Sequence, residues 1–166
     1  GMSYPMQLMR WTGLQFLSLG CSGNCKMQPY FGEVLCDADV DAFVFDAFSN
    51  PNAKMIEERL FPFIEQLQKA HPDTPLIFQQ TIRRESRNFS TRVDKSEQAK
   101  QEMAAKLMKQ ACRKYRNVYF IEATDAADKL QETSVDGTHP GDYGYTLWAK
   151  SIEKPILKIL KKYGIK

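Results

Sequence analysis

Val40-Asp41-Ala42-Phe43-Val44-Phe45-Asp46 runs directly into Ala47-Phe48-Ser49-Asn50-Pro51-Asn52. The first seven residues are rich in β-branched and aromatic side chains. They read as a strand buried on both faces, the habit of strands in parallel sheets. The polar residues that follow then form a loop at that strand's carboxyl end. Beyond them, residues 53–70 carry a helical pattern that His71-Pro72-Asp73-Thr74-Pro75 stops firmly. Leu76 to Thr81 gives another strand, Lys95 to Tyr115 an amphipathic helix with Met103, Leu107, Met108, Ala111 and Cys112 on one stripe, and Asn117 to Glu122 a further strand. Between them, Ile82 to Asp94 is polar and basic, with Arg83, Arg84, Arg87 and Arg92. It reads equally as a flap near a site or as a surface excursion.

Toward the N-terminus, Gln28 to Cys36 suits a short helix and Leu14 to Leu19 a short apolar strand. Tyr4 to Thr12 suits a helix ended by Gly13, and Gly20-Cys21-Ser22-Gly23-Asn24 a turn of small residues. Toward the C-terminus, Thr124 to Gln131 predicts a short helix, and Gly141 to Tyr163 a closing helix interrupted by Pro155. Strands alternate with helices and no hairpin signal intervenes. The expectation is an α/β fold with a parallel sheet, helices on both faces and right-handed crossovers, built as a single domain over residues 1–166. Ligands of such sheets bind at the carboxyl ends of strands, where the loops at Gly23, Asn50 and residues 134–140 are expected to converge.

Composition narrows the partners. The net charge is only +3, and the cations form no basic stripe interleaved with aromatics, so nucleic acid is not an expected partner. Lys158, Lys161, Lys162 and Lys166 read as the solvated face of the last helix. Four cysteines, Cys21, Cys25, Cys36 and Cys112, show no CxxC and no paired spacing with histidine. Single buried thiols are expected, rather than a zinc site or a disulfide framework. No apolar run reaches membrane-spanning length, so no membrane partner is expected, and the residues shown contain no signal peptide. Gly1 before Met2 reads as a tag remnant, which leaves the compartment open.

The most chemically charged stretch is Ser134-Val135-Asp136-Gly137-Thr138-His139-Pro140. A histidine moves protons near neutral pH, and a carboxylate beside it fixes its tautomer and stabilises its charged form. A plainer reading is a helix-entry loop in which Asp136 and Thr138 satisfy free amides and His139 is incidental. His71, the only other histidine, reads as an exposed residue at a helix C-terminus.

Three blocks carry a family resemblance. Asp136-Gly137-Thr138-His139-Pro140 resembles the Asp-x-x-His block of the SGNH (GDSL-like) hydrolases. Leu19-Gly20-Cys21-Ser22-Gly23-Asn24 is similar to their glycine block, and Asp46-Ala47-Phe48-Ser49-Asn50 to their asparagine block. The resemblance covers nearly the whole chain. It implies a flavodoxin-like three-layer sandwich and a serine esterase or acylhydrolase needing no metal or organic cofactor. It also implies roles: His139 as the base, Asp136 as its orienting carboxylate, and Gly23 with Asn50 as the oxyanion hole. The asparagine block departs from the commoner Gly-x-Asn-Asp form, which leaves Asn52 as an alternative to Asn50.

The family's first block, a strand followed by Gly-Asp-Ser or a near variant, has no counterpart here. Ser3 follows no strand and Ser22 lies inside the glycine block, so neither matches the nucleophile, which is expected to be absent from this sequence. A misplaced start, a truncation or a degenerate relative would each account for that. In the family the first strand lies between those matched by Leu14–Leu19 and Val40–Asp46. The expectation is that these two pair directly and close the gap, with some self-association. The expected substrate is a small acyl ester, carbohydrate acetyl esters included. The alternatives are a non-catalytic relative that binds a small ligand or sugar at the same rim, and a phosphate- or nucleotide-binding module. The last lacks the Gly-rich phosphate loop it would need.

Overall fold

The computed structural model describes residues 1–122 and 132–166. The helix expected over 124–131 lies outside the described residues. The chain divides into two compact units. One gathers residues 1–20, 82–95 and the described part of 123–166; the other gathers residues 21–81 and 96–122.

The second unit contains the sheet. Strands β1 (Phe43–Phe45), β2 (Leu76–Gln79) and β3 (Val118–Ile121) lie in the order β1-β2-β3, all parallel, with Phe43 opposite Leu76 and Leu76 opposite Val118. Alternation sends Phe43, Phe45, Leu76, Phe78, Val118 and Phe120 to one face. There they share a core with helix α3 (Ala53–Ala70) and helix α4 (Thr91–Lys114). The helices contribute Ile56, Leu60, Ile64 and Leu67 from α3, and Ala104, Leu107, Met108 and Ala111 from α4. Each fully buried Leu, Ile or Phe of this set contributes about 1.5–3 kcal/mol. Ile77 points to the opposite face and is also fully buried. Burial on both faces explains why Leu76-Ile77-Phe78 is continuously apolar rather than alternating. Helix α2 (Pro29–Cys36) packs on α3, with Gln66 Nε2 donating to the Pro29 carbonyl at 3.4 Å.

In the first unit, helix α1 (Tyr4–Thr12) packs on helix α5 (Asp142–Leu160). The Tyr4 and Trp148 rings lie 4.6 Å apart, and the Thr146 hydroxyl donates to the buried Gln7 amide oxygen at 2.9 Å. Residues 85–89 form a turn of 3-10 helix before α4 begins. Glu85 is buried, and the Ser86 amide donates to the Gly137 carbonyl at 2.8 Å. The basic segment is therefore fastened to the 134–140 loop and is no free excursion.

Three expectations are corrected. Leu14–Leu19 is not a strand. Leu17 and Leu19 are 75% and 56% exposed, and β1 remains an edge of a three-stranded sheet, so the expected direct pairing does not form. Apolar composition favours a strand, but only a ladder partner makes one. The cysteines are not all single thiols, for Cys21 and Cys25 form a disulfide. Their turn, with the Asn24 amide on the Cys21 carbonyl at 3.0 Å, brings the Cα atoms to 5.6 Å, inside the span a disulfide bridges. His71 is not a solvated residue. It is half-buried, its Nε2 lies 2.9 Å from the Leu35 carbonyl oxygen, and its ring meets the Phe43 ring edge-on at 5.1 Å.

Candidate active site

The 134–140 loop is closed at its neck by an antiparallel bridge between Ser134 and Pro140. Inside it, Asp136 divides its two oxygens. Oδ1 accepts the amides of Thr138 at 2.8 Å and His139 at 2.7 Å, and the Ser134 hydroxyl at 3.1 Å. Oδ2 faces His139 Nδ1 at 2.6 Å. The contact with the His139 ring, followed by the His139 and Thr138 amides and the Ser134 hydroxyl, holds the Asp136 carboxyl well below the usual carboxylate range. An ionised carboxylate only accepts, so Nδ1 carries the hydrogen and Nε2 of the neutral ring has the free lone pair. The His139 side chain is 79% exposed, which leaves Nε2 open to a reacting group. One Asp136 oxygen thus satisfies free amides of the loop, and the other fixes the orientation of the His139 ring.

Gly23 and Asn50 lie side by side in the other unit. Gly23 has φ 79°, in the left-handed region, and follows Ser22 at φ 47°. A Cβ added at Gly23 would stand 3.9 Å from Asn50 Oδ1, so the Gly23 backbone and the Asn50 carboxamide border one spot. Asn52, the alternative, uses its side-chain oxygen to cap α3, accepting the Met55 amide at 2.9 Å. Both asparagines are exposed, and it is Asn50 that borders Gly23. The four expected site residues thus form two pairs, each within its own unit.

Sequence reasoning missed what stands behind Asn50. The Ser49 hydroxyl donates to Asp46 at 2.5 Å and meets the Thr81 hydroxyl at 3.2 Å. Lys100 is buried on α4 and donates to the Ser49 carbonyl at 3.1 Å and to the buried Glu97 at 2.6 Å. The Asp46-x-x-Ser49 spacing carries a faint local signal. The Lys100–Ser49 contact carries none, because the two residues lie 51 positions apart. Among the described residues, no group of three or more His, Cys, Asp or Glu could hold a metal ion, and no helix is long and apolar enough to cross a membrane.

Among solved structures, the chain is similar to a protein of Bacteroides ovatus ATCC 8483 classed as a GDSL-like lipase, at 40% identity and a TM-score of 0.93. The match covers 97% of this chain and 48% of that one, so this chain spans about half the length of its relative. Two more distant structures share the fold. A salicylyl-acyltransferase from a tetracycline biosynthetic pathway matches at 17% identity and a TM-score of 0.74, covering 94% of this chain and 48% of that one. A carbohydrate esterase family 3 protein from Talaromyces cellulolyticus matches at 14% identity and a TM-score of 0.66, covering 96% of this chain and 91% of that one. No curated protein sequence matches the chain. The GDSL-like lipase/acylhydrolase family model matches residues 1–158, well over half of the sequence. The chain belongs to the GDSL-like lipase/acylhydrolase family.

Proposed function

We propose that this chain carries the proton-transfer pair and the oxyanion donors of a serine esterase that hydrolyses small acyl esters, carbohydrate acetyl esters among them. The observation that supports this reading most is the Asp136–His139 pair, with Oδ2 2.6 Å from Nδ1 and the ring open to solvent. In this chemistry a serine hydroxyl attacks the ester carbonyl while His139 Nε2 takes its proton. The tetrahedral intermediate then expels the alcohol as His139 returns the proton to the leaving oxygen, and water repeats the sequence on the acyl-enzyme. Asp136 keeps the ring in the required tautomer and stabilises the imidazolium. The Gly23 amide and the Asn50 carboxamide would receive the oxyanion, each such donor contributing about 3 kcal/mol in the transition state. The reaction uses neither metal nor organic cofactor.

No serine in the sequence matches the family's nucleophile, so residues 1–166 alone are expected to hydrolyse esters slowly or not at all. Ser134, the serine nearest His139 in sequence, donates to Asp136 instead. That observation favours a second reading, a relative that binds a sugar or small ligand without turnover. The discriminating experiment is hydrolysis of p-nitrophenyl acetate and of an acetylated xylo-oligosaccharide by the full product of the gene. Release of acetate supports the esterase; binding of the oligosaccharide with no release supports the second reading.

A further inference from the structure

Glu85 is only 6% exposed, a low value for a side chain that is costly to desolvate. Among the described residues its hydrogen bonds go to one place. Oε1 accepts the Thr133 amide at 3.1 Å and the Thr133 hydroxyl at 2.5 Å. Thr133 is the neck of the 134–140 loop, for its carbonyl accepts the Gly141 amide at 2.8 Å, just outside the Ser134–Pro140 bridge. The adjacent residue, Ser86, holds the tip of the same loop through its amide on the Gly137 carbonyl at 2.8 Å. The fit at both points is close. Gly137 has φ 73°, and a Cβ there would stand 3.0 Å from the Ser86 nitrogen; a Cβ at Gly144 would collide with the Thr133 carbonyl oxygen.

A loop held at neck and tip has its span set from outside. Asp136 and His139 lie between those two fastenings, one on each side of Gly137. We propose that Glu85 is a positioning residue for the proton-transfer pair: by anchoring Thr133 it keeps the loop in the shape in which Asp136 Oδ2 faces His139 Nδ1. Without that anchor the neck opens, Asp136 no longer meets the ring, and the imidazole is free to take the other tautomer. Glu85 matters to catalysis only if His139 is the base, so the test reads the imidazole rather than turnover.

The sequence has two histidines, and His71, held on the Leu35 carbonyl, serves as an internal reference. Long-range 1H–15N correlation spectra of the 15N-labelled chain, taken where the rings are neutral, report which nitrogen of each ring is protonated. In the wild type His139 is expected as the Nδ1–H tautomer alone. In Glu85→Ala it is expected to lose that single state and show an Nε2–H population, with His71 unchanged. In Glu85→Gln, whose amide oxygen still accepts from Thr133, the wild-type spectrum returns. A folded Glu85→Ala with His71 unchanged and His139 still wholly Nδ1–H overturns the proposal. Should Glu85→Ala fail to fold, Thr133→Val decides, since it keeps the side chain's shape and removes only the hydroxyl donor. A partial Nε2–H population there supports the proposal, and an unchanged His139 overturns it. If His139 responds while the gene product hydrolyses no ester, the positioning role stands and the esterase reading falls.

Discussion

At Asp136, one carboxylate oxygen gathers two amides and a hydroxyl while the other faces the His139 ring, so the same side chain shapes the loop and sets the tautomer. Its acidity carries a pH prediction with a definite sign. The folded-state pKa is depressed, so the contribution to stability is present above the unfolded value of about 3.9 and is lost as pH falls through the lower folded value. The 13C resonance of the Asp136 carboxyl is therefore expected to stay at its ionised position through pH 4; a midpoint at the ordinary carboxylate value would refute the network. The proposed function gives the two asparagines different tasks. Asn50→Ala is expected to lower kcat of the gene product by roughly 100- to 1000-fold with KM little changed, the effect of losing one oxyanion donor. Asn52→Ala is expected to cost about 1 kcal/mol of stability in a denaturant titration, the worth of an N-cap, with kcat unaltered. The opposite pattern would place the oxyanion donor at Asn52.

At the level of elements, what could be read from the sequence was what local chemistry determines. The bounds of α1 and α3 follow from signals within a residue or two of each end: Gly13 in the left-handed cap of α1, Asn52 capping α3, and His71-Pro72 stopping it. The Asp136–His139 pair was legible for the same reason, since its partners are three residues apart. Leu14–Leu19 was misread because its pattern is a strand's, with Leu14 and Phe16 half-buried between exposed Gln15 and Leu17, while pairing is settled by another part of the backbone. The contacts of Glu85 with Thr133 and of Lys100 with the Ser49 carbonyl left no trace in the sequence, because they join residues 48 and 51 positions apart. The buried Lys100–Glu97 pair on α4 can be tested as a unit. Lys100→Met alone is expected to destabilise the chain by roughly 3–5 kcal/mol, because Glu97 then loses its buried cation. Adding Glu97→Leu should recover most of that loss. A double mutant no more stable than the single one in urea denaturation would contradict the account.

On the scale of the whole molecule, family membership rests on residues 1–158, while the 40%-identical relative is about twice as long as this chain. The proposed reaction needs both pairs of residues, so ester turnover is the quantity that tests it. The Asp136–His139 pair can act as the general base only if ester turnover depends on the imidazole; oxyanion binding alone would leave a slow residual rate. The most direct measurement is kcat for p-nitrophenyl acetate with the full gene product, wild type against His139→Ala, with His71→Ala as the control histidine. The account predicts that His139→Ala lowers kcat by roughly 1000-fold or more while His71→Ala leaves it unchanged. A His139→Ala protein that turns over the ester at the wild-type rate would contradict it.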